Sequence, residues 1–489
     1  MRKGIVAALA VVVVAGVAAA AVPLVERHAA AQIKSDMEAD GSTKVGSVEV
    51  GLFARKVAFN DLHAMRPGEI TIGHWEASGL AWPITELAKG RTPFSGLAPG
   101  DPVHAERLEV RNLRMVQDKA RWSVDSLAIS GLHLDRYESV AGPGQFSHLV
   151  ARIAGALSMG HLEQKGTTFT DPASNDRVTI DSLVVDRFDK GQAGSIAVGG
   201  FEFTPKPPRD PVFRMAELKL TDLDFRRGVQ AIGVVTWRPG VPIGRIDLGS
   251  ASLSGFSGES FTRYGISLGS ITQQSQSEGK DVRHSRLRIE GFVLDPPAQS
   301  REGLQIRLVL QAMGLKQLKL ESDCAGTEDR IKGEISVDRC ALTGPELGDV
   351  TLSFKLVQAD APFWKAIDEH SSFALLGTKA GLGGAKLVVA DRGLVERSVK
   401  AVAATSGQSP AAVRASLAQE VRRFQPAGIL ITEDLSKLLD TVARFVESGG
   451  TLTLEAKPAS PIGLDKMKYF TRPGPDLVDI LGLSATLSR

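Results

Sequence analysis

Charge of one sign is the first thing missing. The 489 residues carry 58 Lys and Arg against 56 Asp and Glu, a formal net charge of +2, so nothing in the balance favours nucleic acid or another polyanion. Aromatic residues are also scarce, with three tyrosines, while glycines number 50. That mixture suits many turns and short strands more than a helical bundle. Only one apolar run reaches membrane-spanning length, so the chain is expected to cross a bilayer once at most. At this length a single core is excluded, and two to four domains are expected unless an elongated repeat carries much of the chain.

The usual catalytic and ligand signatures are lacking too. The nine histidines, His28, His63, His74, His104, His133, His148, His161, His284 and His370, form no H-x-x-x-H pair, and they read as outward-facing polar residues with no metal expected. "GISLG", Gly265 to Gly269, satisfies G-x-S-x-G, but a nucleophile elbow needs a strand before its serine and a helix after it. Ser267 reads instead as a serine in an alternating strand. "GLGGAK", Gly381 to Lys386, lacks the K-[ST] ending of a phosphate loop and reads as a flexible turn. "DRYE" and "TEDR" read as solvated turns. Arg422 and Arg423 end a predicted helix, where its dipole favours cations, and make no nucleic-acid signature. No catalytic residue and no cofactor are expected.

What is present begins at the N-terminus. After Met1-Arg2-Lys3, residues 5–25 hold 21 positions without a charge, enough at about 1.5 Å per residue to cross a hydrocarbon core of about 30 Å. This is a signal anchor or a signal peptide, with Ala18-Ala19-Ala20 or Ala29-Ala30-Ala31 available for cleavage. Arg2 and Lys3 keep the tip cytoplasmic and place the bulk of the chain across the membrane. Residues 26–41 read as a connecting helix ending at Gly41.

Strand patterns dominate residues 42–360, interrupted by one helix near 145–159 whose apolar stripe (Phe146, Leu149, Val150, Ile153, Ala154, Leu157) is expected to pack on a sheet. Within the strands a broken alternation recurs: apolar, any, apolar, any, turn-prone, apolar, any, apolar. Full copies start at Val57, Trp75, Leu108, Leu127, Leu218 and Leu287, and looser ones at Leu183, Ala251 and Cys340. Composition alone would produce about three full copies. The turn-prone place is Gly, Asp or Asn in all but the Leu183 copy, residues that tolerate the left-handed conformation of a bulge or bend. The starts are spaced near multiples of ~18 residues, read as two strands with their turns. A further apolar position often lies three residues ahead, as Val124 does before Leu127.

Residues 361–489 turn helical, with Ser409 and Thr432 as caps and strands at "TLTLEAKP" and "SATLS", and read as a mixed α/β module protecting a sheet edge. The fold class expected is therefore mainly β with α: an elongated antiparallel meander of repeated hairpins, one N-terminal apolar helix, and a C-terminal α/β module. The cysteines, Cys324 and Cys340, leave two readings open, a disulfide or two buried thiols. A hairpin turning at "AGTED" would set the sulfurs near opposite ends of the ladder, beyond the roughly 7 Å between Cα atoms that a bridge tolerates. Another register would restore the bond.

The short basic tip, the apolar segment, the connecting helix and then "TKVGSVEVGLFARKVAFNDLHA" leading into repeated hairpins resemble the bacterial AsmA-like envelope proteins and, more loosely, the YdgA-like ones. The resemblance implies an inner-membrane anchor through residues 5–25, a periplasmic body, or a soluble periplasmic one after cleavage, and a twisted sheet forming an apolar groove used to move lipid or maintain the outer membrane. A phospholipid or other acyl lipid is the ligand implied. Candidate groove positions are Leu108, Val110, Leu127, Ile129, Leu218, Leu220, Leu287 and Ile289. The same residues serve equally as a closed core, and two rivals stand beside lipid handling: a scaffold binding envelope proteins through the sheet, and an enzyme with its site in the C-terminal module.

Overall fold

The structure is a computed structural model that describes residues 22–65, 68–94, 101–117, 120–138, 146–171, 174, 176–206, 212–233, 246–279, 281–368, 371–424, 432–464 and 477–489. Most of the apolar segment 5–25 lies outside these residues. Among the described residues, no helix is long and apolar enough to cross a membrane. The chain forms two compact units, Met1–Val212 with Glu217–Asp247, and Phe213–Ala216 with Leu248–Arg489.

The first unit opens with helix α1 over 22–38. Strands β1 (Thr43–Gly51), β2 (Lys56–Ala64) and β3 (Glu69–Ser78) follow, then α2 (Ile84–Leu87), β4 (Val103–Gln117), β5 (Ala120–Leu134), α3 (Phe146–Ala156), β6 (Leu157–Thr170), β7 (Arg177–Asp189) and β8 (Gln192–Thr204). Strands β1 to β8 pair antiparallel in sequence order. β9 (Phe213–Asp224) leads to α4 (Arg226–Gly233). Ala29 and Ile33 of α1 are fully buried in a core with Val45, Val57 and Phe59. Two α1 carboxylates fix the helix to β1, Glu26 accepting from the Leu52 N–H and Glu38 from the Val45 N–H, both at 2.9 Å.

The broken alternation has a single geometric cause. In each strand from β4 to β8 the pairing is interrupted at two places six residues apart, 106 and 112, 125 and 131, 160 and 166, 181 and 187, 194 and 200, while β3 skips 73 and ends just before Gly79. The skipped residues line up across the strands as two creases. One runs through Gly46, Asp61, Gly73, Asn112, Asp125, Gly166, Asp181 and Gly200, the other through Gly79, Glu106, Gly131, Gly160, Arg187 and Gly194. In every strand the crease residue nearer the C-terminus is left-handed: Gly79, Asn112, Gly131, Gly166, Arg187 and Gly200 have φ between +52° and +64°. Each crease inserts one residue into the alternation, so Val124, Leu127, Ile129 and Leu132 share a face despite spacings of three, two and three.

All six full copies of the motif are left-handed at the turn-prone place, as are Arg187 and Gly255 of the looser ones; Gly344 of the Cys340 copy is not. The ~18-residue interval, however, is one strand with its turn rather than two. β4 and β5 each run 15 residues, because a left-handed residue at a crease bends a strand without ending it. More helices interrupt the strands than the one expected. α3 also ends at Ala156, leaving Leu157 to β6. Its chief partner is α4 rather than a sheet, joined by His148 Nδ1 at 2.6 Å from the Ile232 carbonyl and by Arg152 Nε donating to the Gly233 carbonyl at 2.9 Å. Phe146 and Leu149 of its stripe lie outside the residues whose side chains are described.

The second unit continues with β10 (Ser250–Ser254), β11 (Ser257–Gly258), α5 (Glu259–Tyr264), β12 (Ile266–Ser267), β13 (Ser270–Glu278), β14 (Val282–Leu294), α6 (Leu304–Ala312), β15 (Leu318–Asp329), β16 (Glu334–Gly344) and β17 (Gly348–Val357). Then come α7 (Ala361–Asp368), α8 (Ser372–Leu375), β18 (Gly381–Asp391), α9 (Leu394–Ser406), α10 (Pro410–Arg422), α11 (Glu433–Ser448), β19 (Thr451–Ala456), β20 (Ile462–Gly463), α12 (Leu477–Leu481) and β21 (Leu483–Ser488). β13 to β19 pair antiparallel in sequence order, and β21 pairs with β19.

The predicted boundary at 360 is not a break, since β18 pairs with β17 along ten residue pairs. Helices α9 to α11 also cover the face of this sheet instead of an edge: Val395, Val399, Val413 and Phe445 pack on Leu452, Leu454 and Leu487. "GLGGAK" opens β18 and is no flexible turn; Gly381 lies so near Ile462 of β20 that a Cβ would stand 2.9 Å from its carbonyl carbon. "TED" ends β15, where Asp329 accepts from the Ile331 and Lys332 N–H groups and shapes the turn.

Candidate functional site

Crease geometry decides where the apolar surface lies. Cross-strand pairs Leu108–Ile129 and Val110–Leu127 bring four of the predicted groove residues together on one face. Ile129 joins the buried core, with Leu108 and Leu127 packed against it, and Val110 is only 7% exposed. These four are therefore chiefly core. Leu218 and Leu220 sit half-buried on β9, while Leu287 and Ile289 belong to β14 of the second unit. The eight positions therefore divide between the two units, on β4, β5 and β9 of the first and β14 of the second.

The open part of the first face lies beyond the first crease. There Ile70, Met115, Trp122, Phe169, Val178 and Phe203 stand opposite one another along six strands. Trp122 and Phe169 keep 40% and 41% of their surface in water. The neighbouring row on the reverse side is polar: Arg114, Ser123, Thr168, Thr179 and Glu202. Sequence reasoning missed both because Trp122 precedes the Leu127 copy of the motif and Phe169 lies on β6, which carries no copy. The apolar place three residues ahead of the motif, such as Val124, was the signal that the same face extends further.

A second open strip lies on β14 to β17. Leu287, Cys324, Cys340, Leu352, Leu387 and Leu454 form one cross-strand row, open at Leu287 and Leu352 and closed by helices over Leu454. Cys324 and Cys340 face each other in register and are joined as a disulfide. The hairpin turns at 330–333, four residues beyond the Gly326 inside "AGTED", and this placement brings the sulfurs together.

An apolar cleft of about 460 Å³ lies between α10 and α11, lined by Leu417, Val421, Phe424, Leu439, Val442 and Val446. The chain from 425 to 431 lies outside the described residues. Arg422, next in sequence to Val421, is clasped by Glu447 at 2.7 Å and Asp440 at 3.0 Å, which raise its pKa further above the already high guanidinium range.

On the reverse face of the first unit, His161 Nδ1 is 2.6 Å from Asp186 Oδ1, and Ser195 Oγ donates to Asp186 Oδ2 at 2.9 Å. The His161 hydrogen bond, more than any other contact, holds the Asp186 carboxyl below its usual range. Ser267 ends the short strand β12, as a strand serine, with α5 before it across left-handed Gly265 and β13 after it, so a helix precedes the serine and a strand follows. That order is the reverse of a nucleophile elbow, and the expected continuous strand through Arg263 and Tyr264 is a helix end. Among the described residues no group of three or more His, Cys, Asp and Glu has metal-holding geometry.

Fold and site together define a class: antiparallel meanders whose apolar faces are closed by helices at one end and open at the other. A family model described only as "Uncharacterized protein" matches residues 341–488, from within β16 to the end of β21. No curated protein matches the chain.

Proposed function

We propose that this chain is a membrane-anchored envelope protein that handles acyl lipid on the open apolar face of its β meander, without catalysis. The observation that carries the reading is the row from Ile70 to Phe203, apolar in every strand and open at Trp122 and Phe169. Shielding each lipid CH₂ there is worth about 0.8 kcal/mol, while the polar reverse face stays solvated. An apolar strip six strands wide spans about 24 Å at roughly 4.8 Å per strand, a length that suits an extended acyl chain. The apolar segment 5–25 would hold the body beside a bilayer that supplies such chains.

Full-length protein purified from membranes in mild detergent, followed by lipid mass spectrometry, tests this. Acyl lipid is expected to co-purify with the wild type and to fall several-fold in the Trp122→Asp/Phe169→Asp variant. Equal lipid in both, or none in either, would overturn the reading.

A further inference from the structure

On the reverse face, away from the apolar rows, two histidines that lie 29 positions apart in sequence are direct cross-strand partners: His104 on β4 and His133 on β5. Their Nδ1 atoms face each other within hydrogen-bond distance, and their rings meet edge to face with centroids 4.5 Å apart and planes at 82°. When each ring carries its proton on Nε2, the two Nδ1 lone pairs are aimed at one point, the arrangement that a metal ion bound between them requires. Asp135 interacts electrostatically with both rings, and its carboxylate is 2.9 Å from Lys190 Nζ. The next partner of His133 across the sheet is Ser158, whose hydroxyl donates to Asp189 at 2.6 Å.

We propose that His104 and His133 chelate a late first-row divalent metal ion, Zn²⁺, Ni²⁺ or Cu²⁺, through their Nδ1 atoms, with water completing the coordination. Bonds of about 2.0–2.1 Å at a tetrahedral angle set the two nitrogens about 3.3 Å apart, slightly wider than the observed contact. Each ring is anchored to a different strand, so the ion clips β4 to β5. Asp135 supplies counter-charge once Lys190 swings aside. Two imidazoles with open positions suit Cu²⁺ best, since affinity for nitrogen ligands peaks at copper. The histidine spacing gave no hint of this site, because only the β4–β5 register creates it.

The test uses the full chain in mild detergent, purified through a tag without histidine. Cu²⁺ added at one equivalent should give an electron paramagnetic resonance spectrum with two equatorial nitrogens. His104→Ala and His133→Ala should each lose one nitrogen and bind Zn²⁺ at least tenfold more weakly by calorimetry, with circular dichroism spectra like the wild type. His284→Ala, on the other unit, should change neither readout. Failure of the wild type to bind Zn²⁺ and Cu²⁺ would assign the contact to a direct hydrogen bond between the two rings and overturn the proposal. An unchanged copper spectrum in the double variant would place the ion elsewhere and overturn it equally.

Discussion

Gly166 on β6 lies beneath the carboxylate of Asp125 on β5, so close that a Cβ on the glycine would stand 2.0 Å from Asp125 Oδ2. Gly200 and Asp181 repeat the relationship one strand pair further on, again at 2.0 Å. Both glycines are left-handed, with φ of +64°. The first crease is thus built from acidic or amide side chains folded over glycines of the adjacent strand, and those contacts keep the apolar residues on one face.

Gly166→Ala should therefore cost more than its backbone conformation alone. The left-handed penalty is about 1–2 kcal/mol, and displacing Asp125 adds to it, for a total of roughly 2–4 kcal/mol. Gly41→Ala is the reference, with φ of +72° and nothing within 4 Å of the added Cβ; it should lose only the backbone part. Denaturant unfolding measures both, and Asp125→Gly in the Gly166→Ala background should recover the steric share. Equal losses at Gly41 and Gly166 would show that the crease is not held by this packing.

The strands and caps were legible because they rest on local chemistry. Ser409 and Thr432 cap α10 and α11, accepting from the Ala412 and Leu435 N–H groups, and the turn-prone places of the full motif copies became left-handed. Partnership across strands was not legible. The Cys324–Cys340 bond depended on a turn at 330–333, and the His104–His133 contact on a register that no spacing encodes. Arg187 shows the limit of residue type: it adopts φ of +52° although arginine has no preference for that region, because its place in the second crease imposes it. Helix α4 escaped notice since its eight residues, "RRGVQAIG", lack a capping signature.

Core and open positions on the same face should separate on mutation. Ile129→Ala, in the buried cluster, should lose about 2–4 kcal/mol of stability. Trp122→Ser should lose less than about 1.5 kcal/mol, because much of the ring already lies in water. If lipid is the occupant, intrinsic fluorescence of the wild type should be quenched by brominated acyl chains, and the quenched fraction should shrink in Trp122→Ser. An unchanged quenched fraction would place the lipid away from this row.

Breaking the Cys324–Cys340 bond should weaken the β15–β16 hairpin without changing its register. The bonded residues lie 16 apart, and a loop of about that length corresponds to roughly 3 kcal/mol in the chain-entropy account. Cys324→Ser/Cys340→Ser is expected to lose about 2–3 kcal/mol by denaturant unfolding, and a dithiol reductant should do the same to the wild type. The Arg286 Nε hydrogen bond to Asp323 at 2.7 Å should survive, so hydrogen exchange at neighbouring amides should rise only modestly. Collapse of protection throughout β14 to β17 would contradict a local role for the bond.

Glu109 gives the first unit a pH signature. Its carboxylate accepts from Arg107 Nε at 2.8 Å and from Arg111 at 3.1 Å, and the Arg107 hydrogen bond is the main cause holding it below the usual carboxylate range. A carboxyl depressed in the folded state adds stability above its unfolded value, about 4.3 for glutamate, and loses it as pH falls through the lower folded value. Glu109→Gln should therefore be less stable than wild type at pH 7, by less than about 1 kcal/mol for an ion pair with exposed arginines. Because Glu109 also stands opposite Glu76, removing its charge relieves a like-charge contact and keeps the difference small. Unfolding curves collected between about pH 2 and 7 should show the gap narrowing below pH ~4 and closing once the carboxyl is protonated in both states. A gap that stays constant over that range would mean that Arg107 and Arg111 contribute through packing of their stems rather than through charge.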